Sequence, residues 1–295
     1  MDRQINNQFI EKVKRDLDIK ASAANVIIVA AKSALIVVDM INDGLREGGA
    51  FHAMGYDITR FQSIEPNIIR LVDVFKKHSI PIVYVTSYYD SKYLPSPMRK
   101  KFKEMGIEGS PFARKGTWGT EFIDTLPRIN DYRVIKSHFS PFAEGFSLVL
   151  KEGLNYQLEE YLKLTANEDE EINKRGGPVL TDFYLKASAN TAELSVKGSY
   201  SPLKTMPDFM PLTLGSLFHK VLGEIDTLIC VGGSTHVCLA STIYSASERS
   251  YEVMLPIDAI ASEDENKHIV YLHNFSMFNS TLCTTSALVD NIEKQ

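Results

Sequence analysis

Asp226-Thr-Leu-Ile-Cys-Val-Gly-Gly-Ser-Thr-His-Val-Cys238 carries the logic of the fold. Its first half, Asp226 to Val231, is a short apolar run, the composition of a strand buried on both faces. Two glycines and a small polar pair follow, and a helical pattern runs from about His236 to Arg249. A strand turning sharply into a helix is the repeating unit of parallel α/β sheets. The alternation continues outward. Ala34-Leu-Ile-Val-Val-Asp39 and Pro81-Ile-Val-Tyr-Val-Thr86 read as strands flanking a helix from about Ile58 to His78, whose Ile64, Ile68, Leu71, Val72 and Phe75 share a face. Tyr132-Arg-Val-Ile-Lys136 reads as a third strand, after a short helix expected over Thr120–Leu126. Beyond Cys238 come a strand over Glu252–Pro256, a helix over Asn266–Phe278 and a last strand over Thr284–Leu288. The pattern predicts an α/β protein with three layers, α/β/α, around a mostly parallel, Rossmann-like sheet.

The chain has 295 residues, 44% hydrophobic and 23% charged, enough apolar material for a core. A net charge of -5 carries no basic excess, so no nucleic-acid partner is expected. Three cysteines, an odd number, do not make a disulfide scaffold and suit a reducing, cytoplasmic setting. The apolar stretch Val26–Val38 is interrupted by Lys32 and falls short of the roughly 20 residues of a membrane span, so no membrane partner is expected. Residues 1–20 carry both charge signs and lack a signal-peptide core; Ile5, Phe9, Val13 and Leu17, spaced by four, suggest an amphipathic helix. The expected organisation is a helical extension over 1–30 and one domain over 31–295, interrupted by an inserted subdomain or lid at about 143–210. The separation of Lys136 from Cys238 far exceeds the roughly 30 residues of a βαβ unit. The insert reads as a helical piece (Leu148–Leu164), an acidic run (Glu168–Glu171), a turn (Lys174–Pro178) and polar possible strands, with a helix over Leu212–Leu222 after it.

Ligands of parallel sheets sit at the carboxyl ends of the strands. That rule selects Asp39, Lys136 and Cys238. A cysteine at the first turn of a helix meets free N–H groups and a positive partial charge, which favour a thiolate and a developing oxyanion. A carboxylate ending an apolar strand suits proton transfer. Taken singly, each has an ordinary alternative: a buried cysteine, a turn-forming aspartate, a lysine whose stem covers apolar surface. Cys230 and Cys283 read as inert packing residues.

Together, Asp39, Lys136 and Cys238 resemble the isochorismatase-like cysteine hydrolase family, which includes nicotinamidases, N-carbamoylsarcosine amidases, and ureidoacrylate and biuret hydrolases. Leu35-Ile-Val-Val-Asp39-Met-Ile-Asn42-Asp43 is similar to its first strand motif, and Lys115-Gly-Thr-Trp-Gly-Thr-Glu121 to its Gly-Thr-x-Gly loop. Val134-Ile-Lys136-Ser-His-Phe-Ser140-Pro-Phe142 resembles its lysine motif, and Gly232–Cys238 with Arg249–Ser262 its nucleophile segment and following strand. The likeness covers about 34–142 and 211–290. It implies the isochorismatase-like hydrolase fold, a homodimer or homotetramer, and hydrolysis of a small amide, ureido or carbamoyl substrate through a thioester. Cys238 is then the nucleophile, Asp39 the proton carrier and Lys136 the residue that holds both in charged form. A cis peptide is implied at Ser234–Thr235, with the backbone N–H groups of Thr235 and Cys238 as the oxyanion hole. Trp118, Phe142 and His236 are candidate substrate contacts, with Phe139 and Tyr88 as further pocket aromatics.

Two departures from the family pattern matter. Where nicotinamidases hold a metal, Gly48–Asp57 offers only His52 and Asp57, so neither metal nor cofactor is expected. Gly44 stands where an aromatic usually lines the pocket. The alternatives are a catalytically silent relative acting as a binding or scaffold protein, and a nicotinamidase-type enzyme. A thiol redox protein is disfavoured because no second cysteine makes a Cys-x-x-Cys spacing with Cys238.

Overall fold

The computed structural model describes residues 15–17, 19–20, 25–89, 94, 96–114, 116–126, 132–136, 138–142, 147–151, 182–188, 191–197 and 224–295. The helix expected over Leu212–Leu222, most of the amphipathic segment at 1–20 and most of the insert at 143–210 lie outside them.

Among the described residues the main sheet has nine strands. Its path runs β1 (Ile19–Lys20), β11 (Thr281–Cys283), β9 (Glu252–Pro256), β8 (Thr227–Gly233), β2 (Ser33–Val38), β3 (Ile82–Ser87), β4 (Tyr132–Lys136), β5 (Ser147–Lys151), and β10 (Ile260–Ala261) also pairs with β8. All pairings are parallel except that of β5 with β4. A separate antiparallel hairpin joins β6 (Asp182–Ser188) to β7 (Thr191–Lys197) within the expected insert.

The helices are α1 (Asn42–Leu45), α2 (Ala50–Ala53), α3 (Thr59–Lys77), α4 (Ser96–Glu104), α5 (Ala240–Ser247), α6 (Glu265–Phe278) and α7 (Thr285–Ile292). The period of two along β2 explains the layers. Leu35 and Val37 share one core with Ile64, Ile68, Leu71 and Phe75 of α3 and Leu288 and Ile292 of α7. Ala34, Ile36 and Val38 join the other core with Ile243 of α5 and Leu272 and Phe275 of α6. Every residue of β2 and β8 is buried, as strands covered on both faces require. Among the described residues no helix is long and apolar enough to cross a membrane.

Three expected elements differ. Over Thr120–Leu126 there is a 3-10 turn at Trp118–Thr120, after which Phe122 bridges to Ile41 and Ile123 N–H donates to the Met40 carbonyl. The apolar spacing of Phe122, Ile123 and Leu126 mimics a helix, but the backbone finds its partners in Met40–Asn42. The last strand lies at Thr281–Cys283, and Thr284 instead caps α7 by accepting the Ala287 N–H. The start of the helical piece expected at Leu148–Leu164 is strand β5, paired with β4; the rest lies outside the described residues.

Candidate active site

Asp39 follows the last residue of β2 with φ 51°, in the left-handed region, while its N–H donates to the Val85 carbonyl at 2.9 Å. Its carboxylate meets the ends of two other strands. Oδ2 accepts from Lys136 Nζ at 2.9 Å, and Oδ1 accepts from Ser87 Oγ at 2.9 Å. Ser87 and Lys136 are register partners on β3 and β4, and Lys136 Nζ donates to Ser87 Oγ at 2.5 Å. The third contact of the ammonium is Cys238 Sγ at 3.3 Å. The three ammonium hydrogens thus match three acceptors, the full donor capacity of lysine.

Lys136 is 0% exposed. Burial lowers its pKa, but Asp39, Cys238 and Tyr89 outweigh burial and leave it above the ordinary lysine value. For Cys238, burial pushes the thiol up to about 12; Asp39, which hydrogen-bonds the thiol, adds to the rise, and Lys136 opposes it. The lowered thiol pKa expected at a helix start is therefore reversed, because desolvation outweighs the nearby cation. Tyr89 Oη lies 3.8 Å from Cys238 Sγ, and burial raises the phenol well above its usual value.

The nucleophile turn is held from behind. Gly232 has φ 103°, and a Cβ there would stand 2.1 Å from the Val38 carbonyl oxygen, so only glycine lets β8 lie this close to β2. A π-helical turn, Thr235–Leu239, leads into α5, and the Ser234 carbonyl accepts the N–H groups of Val237 and Leu239 on either side of Cys238. Thr235 is fully buried; its Oγ1 donates to the Ala261 carbonyl and lies 2.8 Å from His268 Nδ1. A hydroxyl has one hydrogen and the carbonyl can only accept, so His268 Nδ1 carries the donated proton. Burial first, and then Arg60, lowers the His268 pKa to about 4.

The cis peptide is Gly233–Ser234, not Ser234–Thr235. The strand runs longer than its sequence reading: Gly232 and Gly233 still pair with Ile260 and Ala261 of β10, so the turn opens after Gly233. The residue beyond the cis bond is thus Ser234, which lines the cavity over Cys238, whereas Thr235 faces Ala261 and His268. The expected oxyanion-hole residue Thr235 is not among the residues that line the cavity, whereas Ser234 is.

The cavity encloses about 250 Å³. Asp39, Ser87, Ser234, Cys238 and Glu263 supply polar lining, while the walls are largely aromatic and aliphatic. Phe139 lines it as expected. Trp118 and Phe142 do not: Trp118 is 50% exposed, its carbonyl accepting from Asn42 Nδ2, and Phe142 is buried in the α5 core beside Tyr251. Tyr88 also lies outside the lining, one residue from Tyr89, which the site uses. His236 stands behind the lining. Its Nε2 pairs with Glu263 Oε1 at 3.1 Å, and its Nδ1 lies within 3.1 Å of Ser234 Oγ. Asp43 ties two loops together by accepting the N–H groups of Ala50 and Ala113. His52 and Asp57 are exposed, Asp57 accepting from Thr59, and among the described residues no three His, Cys, Asp or Glu side chains group as metal ligands. Cys230 and Cys283 are buried free thiols.

The isochorismatase domain family matches residues 33–157 and 210–287, more than half of the chain. The chain belongs to the isochorismatase family. Among curated relatives, this isochorismatase-family chain is 32% identical over 113 residues to a probable inactive nicotinamidase of Arabidopsis thaliana, covering 37% of the chain and 54% of that protein. It is 27% identical over 147 residues to the ureidoacrylate amidohydrolase RutB of Acinetobacter baylyi, covering 45% of the chain and 60% of that protein. The chain thus spans little more than half the length of these relatives. A cysteine hydrolase of Pseudomonas syringae pv. phaseolicola superposes with a TM-score of 0.57 at 17% identity, covering 90% of this chain and 95% of that one. At that identity the likeness concerns the fold.

Ser87, Tyr89 and Glu263 were not selected from the isochorismatase-family sequence. Ser87 was legible: the strand-end rule that selects Asp39 and Lys136 applies equally to β3, and Ser87 and Tyr89 share its alternation. Glu263 has no such signal, since only the pairing of β10 with β8 brings it to the nucleophile turn.

Proposed function

We propose that this chain is a cysteine amidohydrolase that cleaves a C–N bond of a small amide, ureido or carbamoyl compound through a thioester acyl-enzyme. The observation that carries the reading is the buried ammonium of Lys136, in contact with both Asp39 and Cys238 at the floor of a cavity. The name of one relative, ureidoacrylate amidohydrolase, points to the same bond type, while the Arabidopsis thaliana relative is named a probable inactive nicotinamidase.

Because the resting thiol is protonated, attack and deprotonation go together. Cys238 Sγ adds to the substrate carbonyl carbon while Asp39 takes its proton. The backbone N–H groups of Ser234 and Cys238 receive the oxyanion; losing one such donor typically costs about 10²–10³ in rate. Lys136 keeps the charge of the site balanced as the proton moves. Asp39 then gives its proton to the leaving nitrogen, the C–N bond breaks, and an amine or ammonia departs, leaving the thioester. Asp39 next takes a proton from water, the hydroxide adds to the thioester carbonyl, and collapse releases the acid and expels the Cys238 sulfur, to which Asp39 returns its proton, restoring both groups.

The test is ammonia release from nicotinamide, benzamide, N-carbamoyl amino acids, biuret and ureidoacrylate, with and without a chelator, for the unaltered chain and Cys238→Ala. Mass spectrometry of acid-quenched reactions looks for the acyl-enzyme. Chelator-resistant turnover that vanishes in Cys238→Ala, with an acyl adduct on Cys238, is expected. Turnover that survives Cys238→Ala would refute the nucleophile assignment.

A further inference from the structure

The cavity over Cys238 has a chemistry of its own. Phe51, Phe61, Phe102, Phe112 and Phe139 build its walls, with Phe112 edge-on to Phe51 at 5.9 Å and to Tyr89 at 5.4 Å between ring centroids. Gly44 leaves a gap in that wall: nothing lies within 4 Å of where its Cβ would stand. Among the described lining residues there is no lysine, arginine or histidine; the carboxylates are those of Asp39, Asp43 and Glu263, and the Tyr56 phenol is the other ionisable oxygen. Lys136 has no exposure and its three contacts are taken within the site. Burial works against the Glu263 carboxylate, but hydrogen bonds from His236 and Ser234 outweigh it and hold the pKa at about 2. His236 Nε2, 3.1 Å from Glu263 Oε1, is its nearest basic partner, and Lys267 follows at 3.9 Å with its own side chain half exposed.

A carboxylate entering this space would leave water for phenyl faces and meet acidic side chains, with no cation among the described lining residues to receive it. An uncharged apolar group incurs no such cost and gains the contact area of the rings. Resting on the amidohydrolase reading, we infer that the acyl group accepted by this chain is apolar or aromatic and carries no carboxylate, and that Glu263 is the specificity residue that rejects anionic acyl groups. Rejection of the wrong ligand by a fixed like charge is a general route to specificity.

The experiment is calorimetric titration of the full-length Cys238→Ala protein with matched pairs, benzamide against 4-carboxybenzamide and hexanamide against adipic monoamide, repeated with Glu263→Gln and Gly44→Phe added. The neutral member of each pair is expected to bind about tenfold tighter or more. Glu263→Gln is expected to narrow that ratio about threefold or more, because it removes the charge and keeps the shape. Gly44→Phe is expected to weaken benzamide about tenfold by filling the gap, and it keeps the cavity testable should Glu263→Gln fail to fold. Equal or tighter binding of the carboxylates, no binding by any ligand, or a ratio unchanged in Glu263→Gln would overturn the inference. Binding does not depend on turnover. A neutral preference without ammonia release from the unaltered chain removes the hydrolase reading and sustains the cavity inference; turnover confined to carboxylated amides does the reverse.

Discussion

Ser87 Oγ donates to Asp39 Oδ1 at 2.9 Å and accepts from Lys136 Nζ at 2.5 Å, so one hydroxyl braces both members of the buried ion pair. Ser87→Ala leaves Oδ1 without this donor and frees the carboxylate to rotate. Hydrogen bonds to charged groups contribute about 1.5–3 kcal/mol, so kcat/KM is expected to fall roughly tenfold to hundredfold. The loss should sit in kcat, because the hydroxyl aligns the proton carrier; a loss confined to KM would remove Ser87 from that role.

The Asp39–Lys136 pair is expected to be strongly non-additive. Asp39→Asn leaves a buried ammonium without its counter-charge, which should destabilise the fold by about 3–5 kcal/mol. Adding Lys136→Met removes the orphaned charge, and the double variant should recover much of the stability while remaining inactive. Urea unfolding of the four proteins measures the coupling; simple additivity would mean that the pair is not buried as a unit.

His268 predicts an acid-sensitive fold. Its folded pKa is about 4, below the roughly 6.5 of an unfolded histidine. Between those values the unfolded chain binds a proton that the native state refuses, so stability is full above about pH 6.5 and declines as pH falls toward 4. The slope from this one group approaches about 1.4 kcal/mol per pH unit. Denaturant midpoints from pH 7 to 4.5, compared with His268→Gln, isolate it; an identical slope in the variant would assign the acid sensitivity elsewhere.

Gly232→Ala tests the approach of β8 to β2. The added Cβ would meet the Val38 carbonyl oxygen at 2.1 Å, at a residue with φ 103°. A loss of more than about 1 kcal/mol in stability is expected, accompanied by lower activity because Val38 leads directly into Asp39. Thermal unfolding and turnover check both; a variant with unchanged stability would show that the two strands can separate at no cost.

Strands legible by composition landed within about two residues of their observed bounds, the ordinary uncertainty of element ends. Errors arose where tertiary pairing competes with local pattern. Phe122, Ile123 and Leu126 have helical spacing but line up beside Met40–Asn42, and Thr284 caps a helix where a strand was expected.

Local sequence alone determined the alternation of buried strands and helices, and with it the convergence of Asp39, Lys136 and Cys238, because parallel strands place their carboxyl ends at one edge. Chain order could not determine what surrounds them. The bracing hydroxyl of Ser87 depends on the β3–β4 register, and the carboxylate of Glu263 on the pairing of β10 with β8. The thiol at Cys238 stays protonated because residues distant in sequence bury it, and desolvation by the packed whole outweighs the cation beside it.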